Sequence, residues 1–132
     1  MTEPKFPEDV RYTKSHEWAR LDGDDLVIGI TDYAQAELTD VVFVDLPAVG
    51  KVVVGGASAL VLESVKTVTD VYAPVAGTVT ASNVDLKAHP ELVNQDPYGR
   101  GWIFRLRPTS AYDPSALLDA SGYRAVVAGP SH

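Results

Sequence analysis

Short runs of β-branched residues, each cut off by a turn signal, constrain this chain more than any other feature. Leu26-Val-Ile-Gly-Ile30 follows Asp22-Gly-Asp-Asp25, and Val41-Val-Phe-Val-Asp-Leu46 ends at Pro47. Runs of this kind read as strands, and a succession of them points to a mainly β sandwich or barrel. These two are expected to be buried. Between them, Thr31-Asp-Tyr-Ala-Gln-Ala-Glu-Leu38 opens on capping residues and continues in helix formers, which predicts a short helix or turn.

Further along, Val71, Ala73, Val75, Val79 and Ala81 alternate with Tyr72, Thr78 and Thr80, and Pro74 and Gly77 punctuate the middle. A period of two with central turn residues predicts a half-buried hairpin. Asp96-Pro-Tyr-Gly99 fits a type I turn, and a strand over Trp102–Leu106 is expected to follow it. Asp113 is placed to cap a C-terminal helix that starts at Pro114, carries Leu117 and Leu118 as its apolar stripe and stops at Gly122. The small polar residues from Gly129 to His132 predict a flexible tail.

The length, 132 residues, suits a single domain, placed here at residues 1–128 with the tail at 129–132. Eighteen acidic against eleven basic residues give a net charge of -7, which repels phosphate backbones, so nucleic-acid binding is not expected. No apolar run is long enough to predict a membrane span. The amino-terminal segment Met1–Val10, with Glu3, Glu8 and Asp9 and no arginine, reads as neither secretory signal nor transit peptide. A cytoplasmic bacterial protein is the expectation, or a mitochondrial matrix protein if the source is a eukaryote and a transit peptide has been removed.

The absence of cysteine excludes disulfides, thiolate metal sites and a cysteine nucleophile together. His16, His89 and His132 lie far apart, and no phosphate-binding loop, dinucleotide fingerprint or nucleophile elbow is present. Neither a metal site nor an autonomous enzyme is expected. A protein without reactive groups can still take part in chemistry by carrying a covalently attached cofactor, and lysine is then the residue to examine. Lys66 sits in Leu60-Val-Leu-Glu-Ser-Val-Lys-Thr-Val-Thr-Asp-Val71, where two strand-like flanks fold about Val65-Lys66-Thr67 and place the amine at a hairpin tip. By this pattern alone, Lys66 is either an attachment point or an ordinary solvated lysine on an edge strand.

A longer pattern separates the two. Glu63-Ser-Val-Lys66, then Asp70, then Ala73-Pro-Val-Ala-Gly77 resembles the lipoylation motif of the glycine cleavage H-protein family. Tyr12-Thr-Lys-Ser-His-Glu-Trp18, Gly29-Ile-Thr-Asp-Tyr-Ala-Gln35, Asp40-Val-Val-Phe-Val-Asp-Leu-Pro47, Pro90-Glu-Leu-Val-Asn94 and Asp96-Pro-Tyr-Gly-Arg-Gly-Trp102 are similar to that family's signature segments, in its order. The resemblance runs from about Val10 to Tyr123. It implies a barrel-sandwich hybrid of two small antiparallel sheets with short helices, including a C-terminal one.

It also implies a non-catalytic carrier with a swinging arm, with lipoate attached to Lys66. The arm would accept an aminomethyl group from the pyridoxal-phosphate-dependent decarboxylating glycine dehydrogenase and present it to the tetrahydrofolate-dependent aminomethyltransferase. Dihydrolipoyl dehydrogenase would then reoxidise it. Ser15, Glu17 and Asp70 match residues that line the family's cleft for the loaded arm, where a hydroxyl and carboxylates can hold a cationic amine. Read without the family, Glu17 is an edge-strand charge and Ser15 a turn residue. Glu63 and Ser64 are expected to serve recognition by the lipoyl-attaching enzymes, Trp18 to be core, and the protein to be a monomer.

Departures from the family pattern are Ala59 followed by Leu60 before the motif, Thr39 where glycine is common, and Val68 and Thr69 in place of small residues. None touches Lys66. Three rivals share the tip lysine: an H-like relay donating lipoyl to other complexes, a biotinyl carrier, and an unmodified interaction module. The biotinyl reading lacks its flanking methionines, since Val65 and Thr67 flank Lys66 and Met1 is the only methionine.

Overall fold

The computed structural model describes residues 4–129. Its strands are β1 (Arg11–Tyr12), β2 (Glu17–Asp22), β3 (Asp25–Ile30), β4 (Val41–Asp45), β5 (Val52–Val53), β6 (Ser58–Ser64), β7 (Val68–Tyr72), β8 (Gly77–Ser82) and β9 (Phe104–Pro108). The helices are α1 (Asp32–Leu38), α2 (Asp85–Ala88), α3 (Leu92–Gln95) and α4 (Ala120–Ala128). Two open antiparallel sheets result, one of order β1-β2-β3-β9-β8-β5 and one of order β4-β6-β7. This is the mainly β architecture of two sheets with short helices that the sequence predicts. Among the described residues no helix is long and apolar enough to cross a membrane.

The β2–β3 hairpin is in register from Glu17↔Ile30 to Asp22↔Asp25, and Gly23, at φ +65, makes its turn in the left-handed region that favours glycine. Alternation along β3 buries Leu26, Ile28 and Ile30. With Phe104 and Leu106 they meet Val44, Leu62 and Val71 of the three-stranded sheet, so the main core lies between the two sheets. Each large aliphatic side chain buried there contributes about 1.5 to 3 kcal/mol. A second cluster gathers Val10, Tyr12, Trp18, Ala120 and Tyr123 and holds α4. Trp18 is fully buried, as expected of core, and lies so tightly over Gly29 that a Cβ there would fall 2.8 Å from its indole nitrogen.

The predicted hairpin over Val71–Ala81 does not form. β7 stays in the three-stranded sheet, while β8 pairs with β5 and β9 of the other. Pro74, which has no N–H to give a ladder, stands in the crossing segment, and Gly77 opens β8 where the chain passes close to the Arg107 carbonyl. The period of two survives because both strands bury one face, only in different sheets.

The strand expected from Trp102 begins at Phe104, although the Ile103 N–H already donates to the Ile28 carbonyl. The turn at Asp96 is present, closed by the Gly99 N–H donating to the Asp96 carbonyl at 3.1 Å. Pro114–Ala116 form only a 3-10 turn capped by Asp113, and α4 starts at Ala120. Gly122 is therefore in the first turn of α4 and not a stop: its N–H donates to Asp119 Oδ1 at 2.8 Å, so Asp119 is the cap that sets the start. Beyond Gly129 the predicted tail lies outside the described residues.

Candidate functional site

β6 and β7 form the hairpin expected about Lys66, paired from Ser58↔Tyr72 to Glu63↔Val68. The Ser64 N–H donates to the Thr67 carbonyl at 2.8 Å, leaving Val65 and Lys66 as the tip. Ser64 Oγ accepts from the N–H groups of Lys66 and Thr67, both at 3.1 Å. The Ser64 hydroxyl is thus engaged in shaping the turn, a local serine-to-backbone motif. Glu63 is exposed on the sheet, opposite Phe43 on one side and Val68 on the other. A further bond, Val65 N–H to the Asp40 carbonyl at 2.9 Å, ties the tip to the segment between α1 and β4.

Lys66 is exposed, and its Nζ stands 3.4 Å from the Glu37 carbonyl near the end of α1. Glu37 also lines a cleft of about 270 Å³. One wall is α1, through Tyr33, Ala34, Glu37 and Leu38; the other is the β1–β2 turn, through Ser15, His16 and Glu17; β7 adds Thr69, Asp70 and Val71. The three candidate cleft residues Ser15, Glu17 and Asp70 are therefore brought together, and the Lys66 amine stands beside the backbone of Glu37, a residue of the same cleft. Ile30, Leu38 and Val71 make part of the lining apolar.

Glu17 is not the edge-strand charge that its position in the chain allows. β2 runs between β1 and β3, and Glu17 is only 1% exposed. Its Oε1 accepts from Thr13 Oγ1 at 2.5 Å and Ser15 Oγ at 2.6 Å, while Oε2 accepts from the Tyr72 N–H at 3.1 Å. The last bond links the six-stranded sheet to the end of β7. Burial pushes the carboxyl above the usual carboxylate range, and the bonds from Ser15, Thr13 and Tyr72 hold it back. Asp70, by contrast, is exposed and accepts from Ser58 Oγ at 2.7 Å.

A raised folded value means the folded chain takes this proton more readily than the unfolded one. The stability contributed by Glu17 is then greatest below its ordinary value of 4.5 and falls as pH rises through that value toward the folded one. Glu17→Gln removes the titration while its amide can still accept from Tyr72 and donate to the two hydroxyls. We expect this variant to lie within about 1 kcal/mol of wild type at neutral pH. The wild-type-minus-variant difference should decline as pH rises above about 4.5 in urea titrations; a rising difference would contradict the assignment.

Three residues at the site carry no role in the sequence reading. His16, at φ +76, turns its ring into the cleft wall against Tyr33, with centroids 4.9 Å apart. Asn94 clamps the far end of α1: its Oδ1 accepts from Val41 N–H, and its Nδ2 donates to Gln35 Oε1 and the Thr39 carbonyl. Both stand in the strings that carry the family resemblance, which is the signal that could have found them.

The third, Thr39, adopts φ 61 and ψ -148, a region that is nearly glycine's alone. The Thr39 departure from the family pattern is thus a backbone matter. Thr39→Gly is expected to stabilise the chain by about 1 kcal/mol in chemical unfolding, the relief of strain outweighing the added freedom of the unfolded chain. An unchanged or lower stability would count against strain at this position.

The Glycine cleavage H-protein family matches residues 10–129 of the chain. A glycine cleavage system H protein of Thermus thermophilus is 58% identical over 122 residues, covering 92% of this chain and 95% of that protein. The H protein of Bacteroides fragilis is 52% identical over 122 residues, with 92% and 97% covered. The crystal structure of an H protein from Mycobacterium marinum superposes with a TM-score of 0.83 at 39% identity, covering 91% of this chain and 97% of that one. With a family match across most of its length, relatives above half identity and a shared two-sheet architecture, the chain belongs to the glycine cleavage H-protein family.

Proposed function

We propose that Lys66 carries lipoate and that the protein is the aminomethyl carrier of the glycine cleavage system. In this reading it moves between the decarboxylating glycine dehydrogenase, the aminomethyltransferase and dihydrolipoyl dehydrogenase, as a cytoplasmic monomer. The observation that carries it is the placement of an exposed lysine, at a two-residue tip, beside a cleft lined by Ser15, Glu17 and Asp70. A lipoyl group, when bound, supplies a disulfide that can be reduced and a thiol that can hold the transferred carbon.

The chain's own residues suit such a group. The exposed tip gives a modifying enzyme access to Nζ, with Ser64 setting the turn and Glu63 offering it a recognition charge. Ile30, Leu38 and Val71 can cover an aliphatic stem. The Ser15 proton is committed to Glu17, so the Ser15 oxygen is left to accept from an ammonium, and the carboxylates of Glu17 and Asp70 favour its positive charge. Walls on both sides of the cleft would limit the access of water to the carbon next to nitrogen.

The test is to express the chain in a lipoylation-competent host, measure its intact mass, and supply it to the three partner enzymes with glycine. A lipoyl adduct and glycine-dependent release of carbon dioxide are expected. Lipoylated protein that cannot support that release would favour a relay role and overturn the proposal.

A further inference from the structure

We propose that the Tyr123 hydroxyl is a strut joining the two walls of the cleft, which makes Tyr123 on α4 a positioning residue for the carried group; the link to that group rests on the carrier reading above. Tyr123 is fully buried and does not line the cleft. Its Oη lies 2.8 Å from His16 Nδ1 and 2.7 Å from Thr31 Oγ1. His16 belongs to the turn that forms one wall. Thr31 caps α1, the other wall, by accepting from the Ala34 N–H at 3.1 Å. The two walls are already joined by the Thr31 N–H donating to the His16 carbonyl at 3.0 Å, and the Tyr123 oxygen ties their side chains together as well.

The protons fit this arrangement. Thr31 Oγ1 takes the Ala34 proton and is free to donate its own to Tyr123 Oη. Tyr123 then donates to Nδ1 of a neutral imidazole, and every polar atom in the chain of bonds is satisfied. Burial favours the neutral form of His16, with the Glu37 carboxylate opposing it. The oxygen is held in place by packing: the Tyr123 ring stacks on Tyr12 at 4.5 Å and 2° and meets Phe6 edge-on at 5.7 Å. A hydroxyl located by a packed ring fixes its two partners instead of following them. His16 has a particular need of it, since a histidine at φ +76 is held against its backbone preference.

Amide hydrogen exchange of the unmodified protein tests the strut directly. In Tyr123→Phe, peptides covering the β1–β2 turn and α1 should exchange about five- to tenfold faster than in wild type, the factor that one lost hydrogen bond of ordinary strength gives. Thr31→Ser, which keeps the hydroxyl, should retain wild-type protection. His16→Ala cuts the strut at its outer end and should loosen the turn alone, which keeps the proposal testable if Tyr123→Phe folds poorly. Wild-type exchange at both walls of Tyr123→Phe, or loss of protection in Thr31→Ser, would overturn the strut.

On lipoylated, aminomethyl-loaded protein the same variants should release formaldehyde in the same order. In that step water cleaves the S–CH2–NH2 unit to a thiol, formaldehyde and ammonia, with no change of oxidation state. A chain that never acquires lipoate fails this second measurement in every variant, wild type included, while the exchange result still decides the strut.

Discussion

Lys66→Arg is expected to reduce glycine decarboxylation by the partner enzymes to background while leaving the fold unchanged. Arginine keeps the positive charge, but its delocalised guanidinium is not the primary amine that forms a stable amide with a carboxylic acid. Little structure depends on the side chain. Among the described residues its one hydrogen bond, to the Glu37 carbonyl, is 3.4 Å long, and the tip is held by bonds of the Ser64, Val65 and Thr67 N–H groups. An exposed substitution of this kind changes stability by about 0.5 kcal/mol or less. Intact mass should show no adduct, the thermal midpoint should be that of wild type, and labelled glycine should release no carbon dioxide above a carrier-free control. Turnover by the arginine variant would mean that attachment lies elsewhere.

The second large effect is on stability. Gly77 opens β8 where the chain changes sheets, paired with Val53 on one side and Pro108 on the other. A Cβ built there falls 2.4 Å from the Arg107 carbonyl oxygen and 3.0 Å from Leu106 Cγ. The nearer contact is backbone in the central ladder, so it cannot be relieved by a side-chain rotation; either the β8–β9 pairing opens or the crossing shifts. Gly77→Ala should cost about 3 kcal/mol, at the upper end of what overpacking does, and lower the thermal midpoint by about 10 °C. Gly23→Ala makes the contrast, because its Cβ would meet nothing within 4 Å and only the backbone preference at φ +65 is offended. Equal losses in the two variants would show that close approach is not what Gly77 provides.

The features legible in the sequence are those written in neighbouring residues. β3 and β4 announce themselves by dense β-branched runs, and the Lys66 hairpin by matched flanks about a polar tip. Thr31 signals its own cap, because Ser and Thr act on N–H groups two or three residues away. What is not legible depends on distant partners. Nothing within Val71–Ala81 says that its halves pair with β6 on one side and with β5 and β9 on the other.

α2 and α3, four residues each, are too short to show a helical period. Likewise the burial of Glu17 needs the N–H of Tyr72, and the link between His16 and Tyr123 spans 107 residues. The family resemblance picked out Ser15, Glu17 and Asp70 where composition and periodicity did not, and the cleft geometry gives them a common setting.

The bond from Val65 to Asp40, with those of Ser64, makes the tip a fixed pivot. For a carrier, a fixed pivot sets the reach of the cargo by the length of the stem alone, so each visiting enzyme has to bring its active site to the same small hemisphere. Two residues at the apex leave room for one visitor at a time. Three enzymes sharing this point would therefore queue, and the pace of the cycle would depend on how quickly each lets go. Affinity that is too high at any one station would slow the other two.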